Sequence, residues 1–290
     1  MFFGTIIYAL FNTAILAITA LGFNLTFGIS GIANFSYGAM YILAAYVSWM
    51  LVHLLGLPFW LSVFVSIAIT MVLGALIYRF VLLRVRGQVL SEVIATFGIG
   101  LGTLELFQYL GFVGFEYTLP VFIDDSFMIG DTVVDWQRLL ITIVAGMLVA
   151  GLWVFTHHTR LGLAFRGIAQ DESTALTLGI DSDLMGMLSV SMGCGLAALA
   201  SLLIIPLGSI SPSEGYDVLI KALAVCIIGG LGSTGGLIVA SFIVGFAERF
   251  TDAYVGSQWT MIVSLAAILI VLVVKPSGLF GRQKELAERI

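Results

Sequence analysis

The chain has 290 residues, of which 60% are hydrophobic and 10% are charged, and its mean hydropathy is +1.12. Soluble domains carry about 25% charged residues, so this composition excludes a soluble globular fold, whereas a bilayer solvates apolar surface of this extent. The formal net charge of −5 gives no indication of nucleic-acid binding. Because apolar runs recur from one end to the other, we expect a single membrane domain over residues 1–290.

Nine apolar runs predict an all-α, polytopic transmembrane bundle with about eight to ten spans. The runs cover Phe2–Phe27, Tyr37–Leu55, Phe59–Leu83, Val89–Phe115, Gln137–Thr156, Leu184–Leu207, Tyr216–Leu231, Leu237–Phe250 and Gln258–Val274. The first run has no basic segment before it, so we expect a span rather than a cleaved signal peptide. Cys194 and Cys226 lie inside such runs and are expected to pack rather than form a disulfide, and no His/Cys cluster predicts a metal site.

Basic residues predict the side of the membrane on which each loop lies, because Lys and Arg concentrate in cytoplasmic loops. If the spans alternate, three basic clusters fall on one side. They contain Arg79, Arg84, Arg86, His157, His158, Arg160, Arg166, Lys275, Arg282, Lys284 and Arg289. The opposite side receives the loop 116–136, which is acidic and contains no Lys or Arg. We therefore expect the N-terminus outside and the C-terminus in the cytoplasm.

Two glycine-rich segments, Gly28–Gly38 and Gly229–Gly236, interrupt the apolar pattern. Non-helical backbone in a bilayer occurs only inside protein or beside a water-filled cavity, and transporters bind or gate solutes at broken helices. We therefore predict broken or re-entrant segments that line or gate a solute pathway. An ordinary turn and close helix packing are the structural alternatives. The candidate pathway residues are Asn34, Ser36 and Tyr37, with Ser233 and Thr234 as weaker candidates.

Glu105 is the acidic residue nearest the middle of a predicted span, and with Gln108 it forms an i,i+3 pair on one helix face. Carboxylates within a membrane are costly and often functional. Glu105 is therefore a further pathway candidate, although a hydrogen bond that holds its helix to a neighbour explains it equally well.

Neither glycine segment predicts an enzyme. The second segment lacks the Gly-Lys-Ser/Thr ending of a phosphate-binding loop, so we expect no nucleotide or other cofactor on this chain. The stretch Gly28-Ile29-Ser30-Gly31 matches the G-x-S-G pattern of intramembrane serine proteases. No histidine lies within a predicted span to act as its base, so a protease is a minor alternative and no catalytic residue is assigned.

Residues 157–183, the docking segment, are the longest polar stretch on the predicted cytoplasmic side. Their apolar residues recur at helical spacing, and Gly179 is placed to end a helix as its C′ residue. The residues at this spacing are Leu161, Phe165, Ile168, Ala175 and Leu176. We predict one short amphipathic helix, about 163–178, which docks in a groove of a partner protein or lies on the lipid surface.

The docking segment resembles the coupling loop of branched-chain amino acid ABC transporter permeases of the LivH type. The resemblance rests on Arg160-Leu-Gly-Leu-Ala-Phe-Arg166, Ala169-Gln-Asp171 and Ala175-Leu-Thr-Leu-Gly179-Ile180-Asp181. The segments Gly28–Gly38 and Gly229–Gly236 resemble the two glycine motifs of the same family, and Lys275–Gly281 resembles its closing motif. The similarity covers nearly the whole chain, with the motifs in the same order and spacing. Tyr37 stands where the family commonly has histidine.

The resemblance implies an ATP-driven importer in the inner membrane of a bacterium or archaeon. Two permeases, related or identical, would form the pathway, two cytoplasmic ATPases would bind ATP and Mg²⁺, and an outside solute-binding protein would deliver an amino acid or related small solute. Six residues would couple to the ATPases: Arg160, Arg166, Asp171, Glu172, Ala175 and Gly179. The leading alternative from the residues is an ion-coupled carrier that uses Glu105.

Overall fold

The computed structural model describes residues 2–112, 117–130 and 132–281. Its helices are α1 Phe2–Ser30, α2 Tyr37–His53, α3 Phe59–Ile77, α4 Leu83–Val85, α5 Val89–Tyr109, α6 Trp136–His158, α7 Arg160–Gln170, α8 Glu172–Thr177, α9 Ser182–Ile204, α10 Glu214–Gly229, α11 Thr234–Tyr254 and α12 Thr260–Val274. A π-helical turn, Tyr78–Leu82, joins α3 to α4, and short 3-10 turns, Ile205–Leu207 and Ser257–Trp259, follow α9 and precede α12. Residues Glu116, Asp131, Arg282, Lys284 and Arg289 lie outside the described residues.

Nine helices correspond to the nine predicted spans. Seven of them are long and apolar enough to cross a membrane, where α12 is counted with the 3-10 turn before it as Ser257–Val274. The other two are shorter, since α2 has 17 residues and α10 has 16. At 1.5 Å per residue the two short helices reach only about 25 Å, less than the ~30 Å hydrocarbon core. Both short helices adjoin a predicted glycine break, which confirms the prediction of broken segments.

The loop between α5 and α6 differs from the prediction in two ways. The loop contains a two-stranded antiparallel hairpin, β1 Ser126–Ile129 and β2 Thr132–Asp135. The helix α5 ends at Tyr109 rather than Phe115, because Gly111 adopts φ +85°. The Gly111 and Phe112 amides then donate to the carbonyl oxygens of Gln108 and Phe107 at 3.0 Å, a glycine-terminated C-cap that hydropathy does not reveal.

The core is built on α1 and α9, whose most apolar windows are 61% and 72% buried, compared with 6% for α12. A Cβ at Gly22 of α1 would lie 2.5 Å from the Gly193 carbonyl oxygen of α9. A Cβ at Gly74 of α3 would lie 2.8 Å from Cys194 Sγ, also on α9. Small residues therefore let three backbones meet, as is typical of helix pairs in membranes.

The bundle has two distinct ends, the glycine end and the hairpin end. The glycine end holds Gly28 and Gly232, whose α-carbons pack together, since a Cβ at Gly28 would lie 2.7 Å from Gly232 Cα. The hairpin end holds β1, β2 and the start of α1, because Tyr8 donates a 2.7 Å hydrogen bond to the Val133 carbonyl oxygen. The two glycine segments thus lie on the same side of the membrane, as the alternation of spans predicts.

We expect Gly38→Ala to destabilise the bundle, because a Cβ at this position of α2 would overlap the Gly215 carbonyl oxygen of α10. Overpacking of this kind costs about 1–3 kcal/mol. The matched control is Gly146→Ala in α6, where a Cβ would meet nothing within 4 Å. Thermal unfolding of the purified protein in detergent should show a lower midpoint for Gly38→Ala alone. Equal midpoints for the two variants would contradict the α2–α10 backbone contact.

Candidate functional site

The chain between α1 and α2 turns back into the bundle. After Gly31, which has φ +68°, residues 32–35 lead away from the glycine end. The Phe35 amide donates to Thr96 Oγ1 of α5 at 3.1 Å, and Asn34 Nδ2 lies 3.8 Å from Cys194 Sγ, halfway along α9. Because these partners lie inside the bundle, α2 begins inside it rather than at the glycine end. This confirms the predicted re-entrant segment.

Asn34, Ser36 and Tyr37 meet where α2 begins, and all three are buried within this chain. Asn34 Oδ1 accepts hydrogen bonds from the Ser36 amide at 3.1 Å and from Ser36 Oγ at 2.6 Å. The Tyr37 hydroxyl donates to the Thr19 carbonyl oxygen of α1 at 2.6 Å, and its ring meets Phe23 edge to face. These polar groups therefore fasten α2 to α1 and α9, and their role in a solute pathway stays a prediction.

A narrow cleft lies beside this segment, between α2, α5 and α10. Its volume is only about 10 Å³, roughly the least that admits one water molecule. The cleft is narrow because the helices around it approach each other closely. A Cβ at Gly100 of α5 would lie 3.2 Å from the Phe35 carbonyl oxygen, and the backbones of α2 and α10 are in contact at Gly38 and Gly215. The lining residues are Phe35, Gly38, Ala39, Phe97, Gly100, Leu101, Leu104, Gly215, Tyr216 and Leu219.

Glu105 lies on the outer face of α5, where it is exposed together with Gln108 and Leu101. These three residues follow an i, i+4, i+7 pattern, so they share one face of the helix. A carboxylate facing lipid is costly, so this face requires a covering of protein or water. The described residues of this chain leave it uncovered.

Ser233 and Thr234 begin α11 at the glycine end, and both are half-buried. Ser233 Oγ accepts a 3.1 Å hydrogen bond from the Gly236 amide, so Ser233 is the N-cap of α11. The neighbouring Gly232 amide donates to Asn24 Oδ1 of α1 at 2.9 Å. The second glycine segment is therefore fixed to α1, and a pathway role for Ser233 and Thr234 stays a prediction.

The docking segment forms two helices, α7 and α8, rather than the single predicted helix. The break is at Asp171, whose extended backbone allows its Oδ1 to accept from the Ser173 amide at 2.9 Å and the Thr174 amide at 3.3 Å. Hydrogen bonds from Thr174 and Ser173 lower the pKa of Asp171 to about 2. Since this pKa is depressed, the cap's contribution to stability is lost only as the pH falls through that value.

The predicted end of the docking segment is confirmed at Gly179, which has φ +81°. Its amide donates to the Leu176 carbonyl oxygen at 3.0 Å, and the Ile180 amide donates to that of Ala175 at 3.1 Å. This pair of bonds defines a Schellman motif. Because the chain turns sharply here, α8 is held close to the start of α9.

Only part of the predicted apolar face of the docking segment is exposed. Phe165, Ile168 and Ala175 are buried against the chain itself, so they hold α7 and α8 in place. Arg166 is half-buried, and its Nε atom has no hydrogen-bond partner within the described structure. The outward face carries Arg160, Leu161, Leu163, Leu176 and Leu178. This exposed apolar face, rather than the Ala175 face, is available to a partner.

Arg86 links the docking segment to the α4–α5 loop and was not among the predicted site residues. Its guanidinium forms ion pairs with Glu172 of α8 and Asp183 of α9, and it donates to Ser182 Oγ at 3.1 Å. Its partners lie about a hundred residues away in sequence, so only its place in a basic loop could have indicated it. Glu172, a predicted coupling residue, is therefore tied to the bundle through Arg86.

Nine membrane helices with two glycine-rich breaks, one of them re-entrant, define a polytopic membrane transport protein. The chain matches the family model described as branched-chain amino acid transport system / permease component over residues 5–272. The chain therefore belongs to this family of transport permeases, and it is a transport component rather than an enzyme.

Individual relatives agree with this assignment. LivH of Escherichia coli, a high-affinity branched-chain amino acid transport system permease protein, is 30% identical over 92% of this chain and 91% of its own length. BraD of Pseudomonas aeruginosa is 29% identical with the same coverage. LivM of Escherichia coli, also a high-affinity branched-chain amino acid transport system permease protein, is 24% identical over 92% of this chain and 68% of its own length.

One solved structure has a similar fold, PsaBC from Streptococcus pneumoniae in complex with Fab, with a TM-score of 0.53 at 13% identity. The match covers 94% of this chain and 92% of that chain. At this identity the likeness supports the fold alone.

We expect Arg86→Gln to loosen α8, because the variant removes the ion pair with Glu172 that joins α8 to the α4–α5 loop, together with the neighbouring pair with Asp183 of α9. Partly exposed pairs are worth about 0.2–1 kcal/mol each, so amide hydrogen exchange across residues 172–178 should be about fivefold faster. The control is Arg84→Gln, two residues earlier, where the side chain is exposed and forms no ion pair in the described structure. Unchanged exchange in Arg86→Gln would contradict the link.

Proposed function

We propose that this chain is one of two permease subunits of an ATP-driven importer for branched-chain or related hydrophobic amino acids. The observation that carries the proposal is the 30% identity with LivH along 92% of the chain, with the glycine breaks and the docking segment in the regions matched. The membrane is proposed to be the inner membrane of a bacterium or archaeon, with the hairpin end outside and the glycine end in the cytoplasm. The basic loops support this orientation.

The second permease is proposed to cover the outer face of α5. The exposed Glu105 and Gln108 support this, because a protein or water covering removes the cost of a carboxylate in lipid. The resemblance to LivM as well as to LivH supports a related but different partner, with a second copy of this chain as the alternative. The solute would then pass along the cleft between α2, α5 and α10, at the boundary between the two permeases.

Two ATPases are proposed to dock at the glycine end, and they bind ATP and Mg²⁺ themselves. The outward face of α7 and α8, with Leu163, Leu176 and Leu178, supports this because exposed apolar residues on a short helix fit a groove of a partner. Arg86 and Glu172 would transmit movement of the docking segment to α5 and α9. A solute-binding protein would meet the hairpin end, where Asp124 and Asp125 are exposed.

The start of α2 is proposed to act as the gate. Asn34, Ser36 and Tyr37 hold α2 against α1 and α9, and the adjoining cleft is too narrow for an amino acid in this state. When α5 and α10 move apart from α2, the segment 31–36 would be exposed to the cleft. Its glycines and short polar residues could then contact the solute weakly, which suits a permease that has to release its cargo.

Reconstitution tests the proposal directly. This chain, a LivM-type permease and the ATPases are placed in proteoliposomes, and uptake of radiolabelled L-leucine is measured with the solute-binding protein outside. We expect uptake that requires ATP and every subunit. Uptake by this chain alone, driven by a proton or sodium gradient, would contradict the importer and favour the ion-coupled carrier. Absence of leucine uptake with intact ATP hydrolysis would contradict the solute class.

A further inference from the structure

A second cavity, of about 210 Å³, lies in the half of the bundle nearer the hairpin end, between α1, α6, α10, α11 and the start of α12. It is separate from the cleft, because the two lie on opposite faces of α10. Tyr216 lines the cleft and Lys221 lines the cavity, and five residues turn a helix by about 140°. The charged residues of the cavity wall are Arg138, Lys221, Glu248, Arg249 and Asp252.

Two of these charges already have partners within the chain. Arg138 Nε lies 3.3 Å from Asp135 Oδ2, and Arg249 forms an ion pair with Asp252. Both guanidinium groups also lie over the Tyr8 ring, at 5.2 and 4.9 Å from its centroid. These contacts build a rigid, charged wall toward the hairpin end.

Two opposite charges in the same wall form no ion pair within the described structure. Lys221 is half-buried and pairs neither with Asp217, one turn earlier on α10, nor with Glu214, two turns earlier, although the Glu214 carboxylate attracts it over a longer distance. Glu248 is 4% exposed, and among the described residues its hydrogen-bond donors are both neutral, Ser264 Oγ at 2.6 Å and Asn12 Nδ2 at 3.2 Å. Ionised groups left unpaired within a membrane protein are costly, and they mark functional sites.

Arg249 adds a second cationic hydrogen-bond donor to the cavity, beside Lys221. Its Nε atom is buried and has no hydrogen-bond partner within the described residues, although its Nη1 atom donates a hydrogen bond to Asp252. The cavity thus offers Lys221 and Arg249 to an anionic group, and Glu248 to a cationic one.

We propose that this cavity binds a small zwitterion, with its anionic group at Lys221 and its ammonium group at Glu248. The space is about seven times the ~30 Å³ that one water molecule occupies in the liquid, which is enough for a solute of amino-acid size. A ligand with only one charge would leave either Lys221 or Glu248 unpaired, so the wall selects against it. Either a free amino acid or the phosphoethanolamine headgroup of a lipid supplies this chemistry.

Occupancy would affect transport through α10, which separates the two spaces. A ligand that binds both Lys221 on α10 and Glu248 on α11 stabilises the conformation in which the two helices have the spacing seen in this structure. Since the opposite face of α10 forms the cleft, the cavity is an accessory site that biases the position of one wall of the proposed pathway.

The experiment uses the complete transporter in nanodiscs of phosphatidylglycerol, without the solute-binding protein. Its probe is photo-leucine, a diazirine analogue of L-leucine, and the crosslinked peptides are identified by mass spectrometry. The proposed function enters only through the choice of this probe. We expect crosslinks in α1 near Asn12 and near Thr260, and we expect competition by L-leucine. The single-charge analogues 4-methylpentanoate and isopentylamine should compete at least tenfold less well.

Variants test whether Lys221 and Glu248 bind the two charged groups of the zwitterion. Lys221→Met and Glu248→Gln should each lower cavity labelling at least tenfold, while Lys275→Met, a lysine beyond the end of α12, should leave it unchanged. The analogue competition uses the unaltered protein, so it decides the matter even where a variant fails to fold. A second preparation in phosphatidylethanolamine separates the two sources. Reduced labelling there, with lipid retention that depends on Lys221, would support the headgroup as the zwitterion.

Two results would overturn the proposal: crosslinks confined to the cleft helices, or competition by 4-methylpentanoate equal to that of leucine. ATP-driven leucine uptake is measured in parallel, on the same purified transporter placed in proteoliposomes with the solute-binding protein outside. Uptake without cavity labelling overturns the accessory site and leaves the importer function intact. Cavity labelling without uptake overturns the importer function and leaves the accessory site intact.

Discussion

Backbone-to-backbone contact at glycine is the constraint on which the rest of this bundle depends. Lipid supplies no hydrophobic force between helices, so association relies on close packing and hydrogen bonds. Gly22 with Gly193 joins α1 to α9, Gly38 with Gly215 joins α2 to α10, and Gly28 with Gly232 joins the two glycine segments. Each contact leaves no room for a side chain. The helices therefore approach most closely at these points, and a large cluster of buried apolar side chains packs around them.

The same constraint explains why a polar, non-helical segment can lie inside the bundle. The close approach of α1 and α9 places Thr19 and Cys194 within reach of Tyr37 and Asn34, so the groups freed by the break find partners. The proposed gate at the start of α2 thus rests on a polar segment whose side chains, those of Asn34, Ser36 and Tyr37, have hydrogen-bond partners in this state.

The spans and the glycine breaks could be predicted from sequence because hydropathy and helix-breaking residues are local properties. The end of the docking segment at Gly179 was predictable for the same reason, since a C′ glycine has a local conformational cause. The split at Asp171 was missed, although Asp followed by Ser173 and Thr174 is a recognisable N-cap pattern. The β1–β2 hairpin was missed because its strands are only four residues long.

The features that depend on long-range contacts could not be predicted. Arg86 meets Glu172 and Asp183 only after the bundle has formed, and the cavity wall at Lys221 and Glu248 is assembled from different helices. Ala175 has the spacing of an exposed apolar face but turns toward its own bundle, because periodicity does not say which surface covers that face. Sequence thus predicts which helices exist, and packing decides which side chains are free to act.

The central claim is that the outer face of α5 adjoins an aqueous pathway between two permeases, and the reactivity of a cysteine at Glu105 tests it most directly. The buried Cys194 and Cys226 are first replaced by alanine. In the assembled transporter, Glu105→Cys should react with a charged methanethiosulfonate reagent, at a rate that changes when ATP is bound. Met147→Cys, 60% exposed on the outer surface of α6, should face lipid and stay unreactive. Equal, negligible labelling at both positions would contradict the account, because it would place the face of Glu105 against lipid.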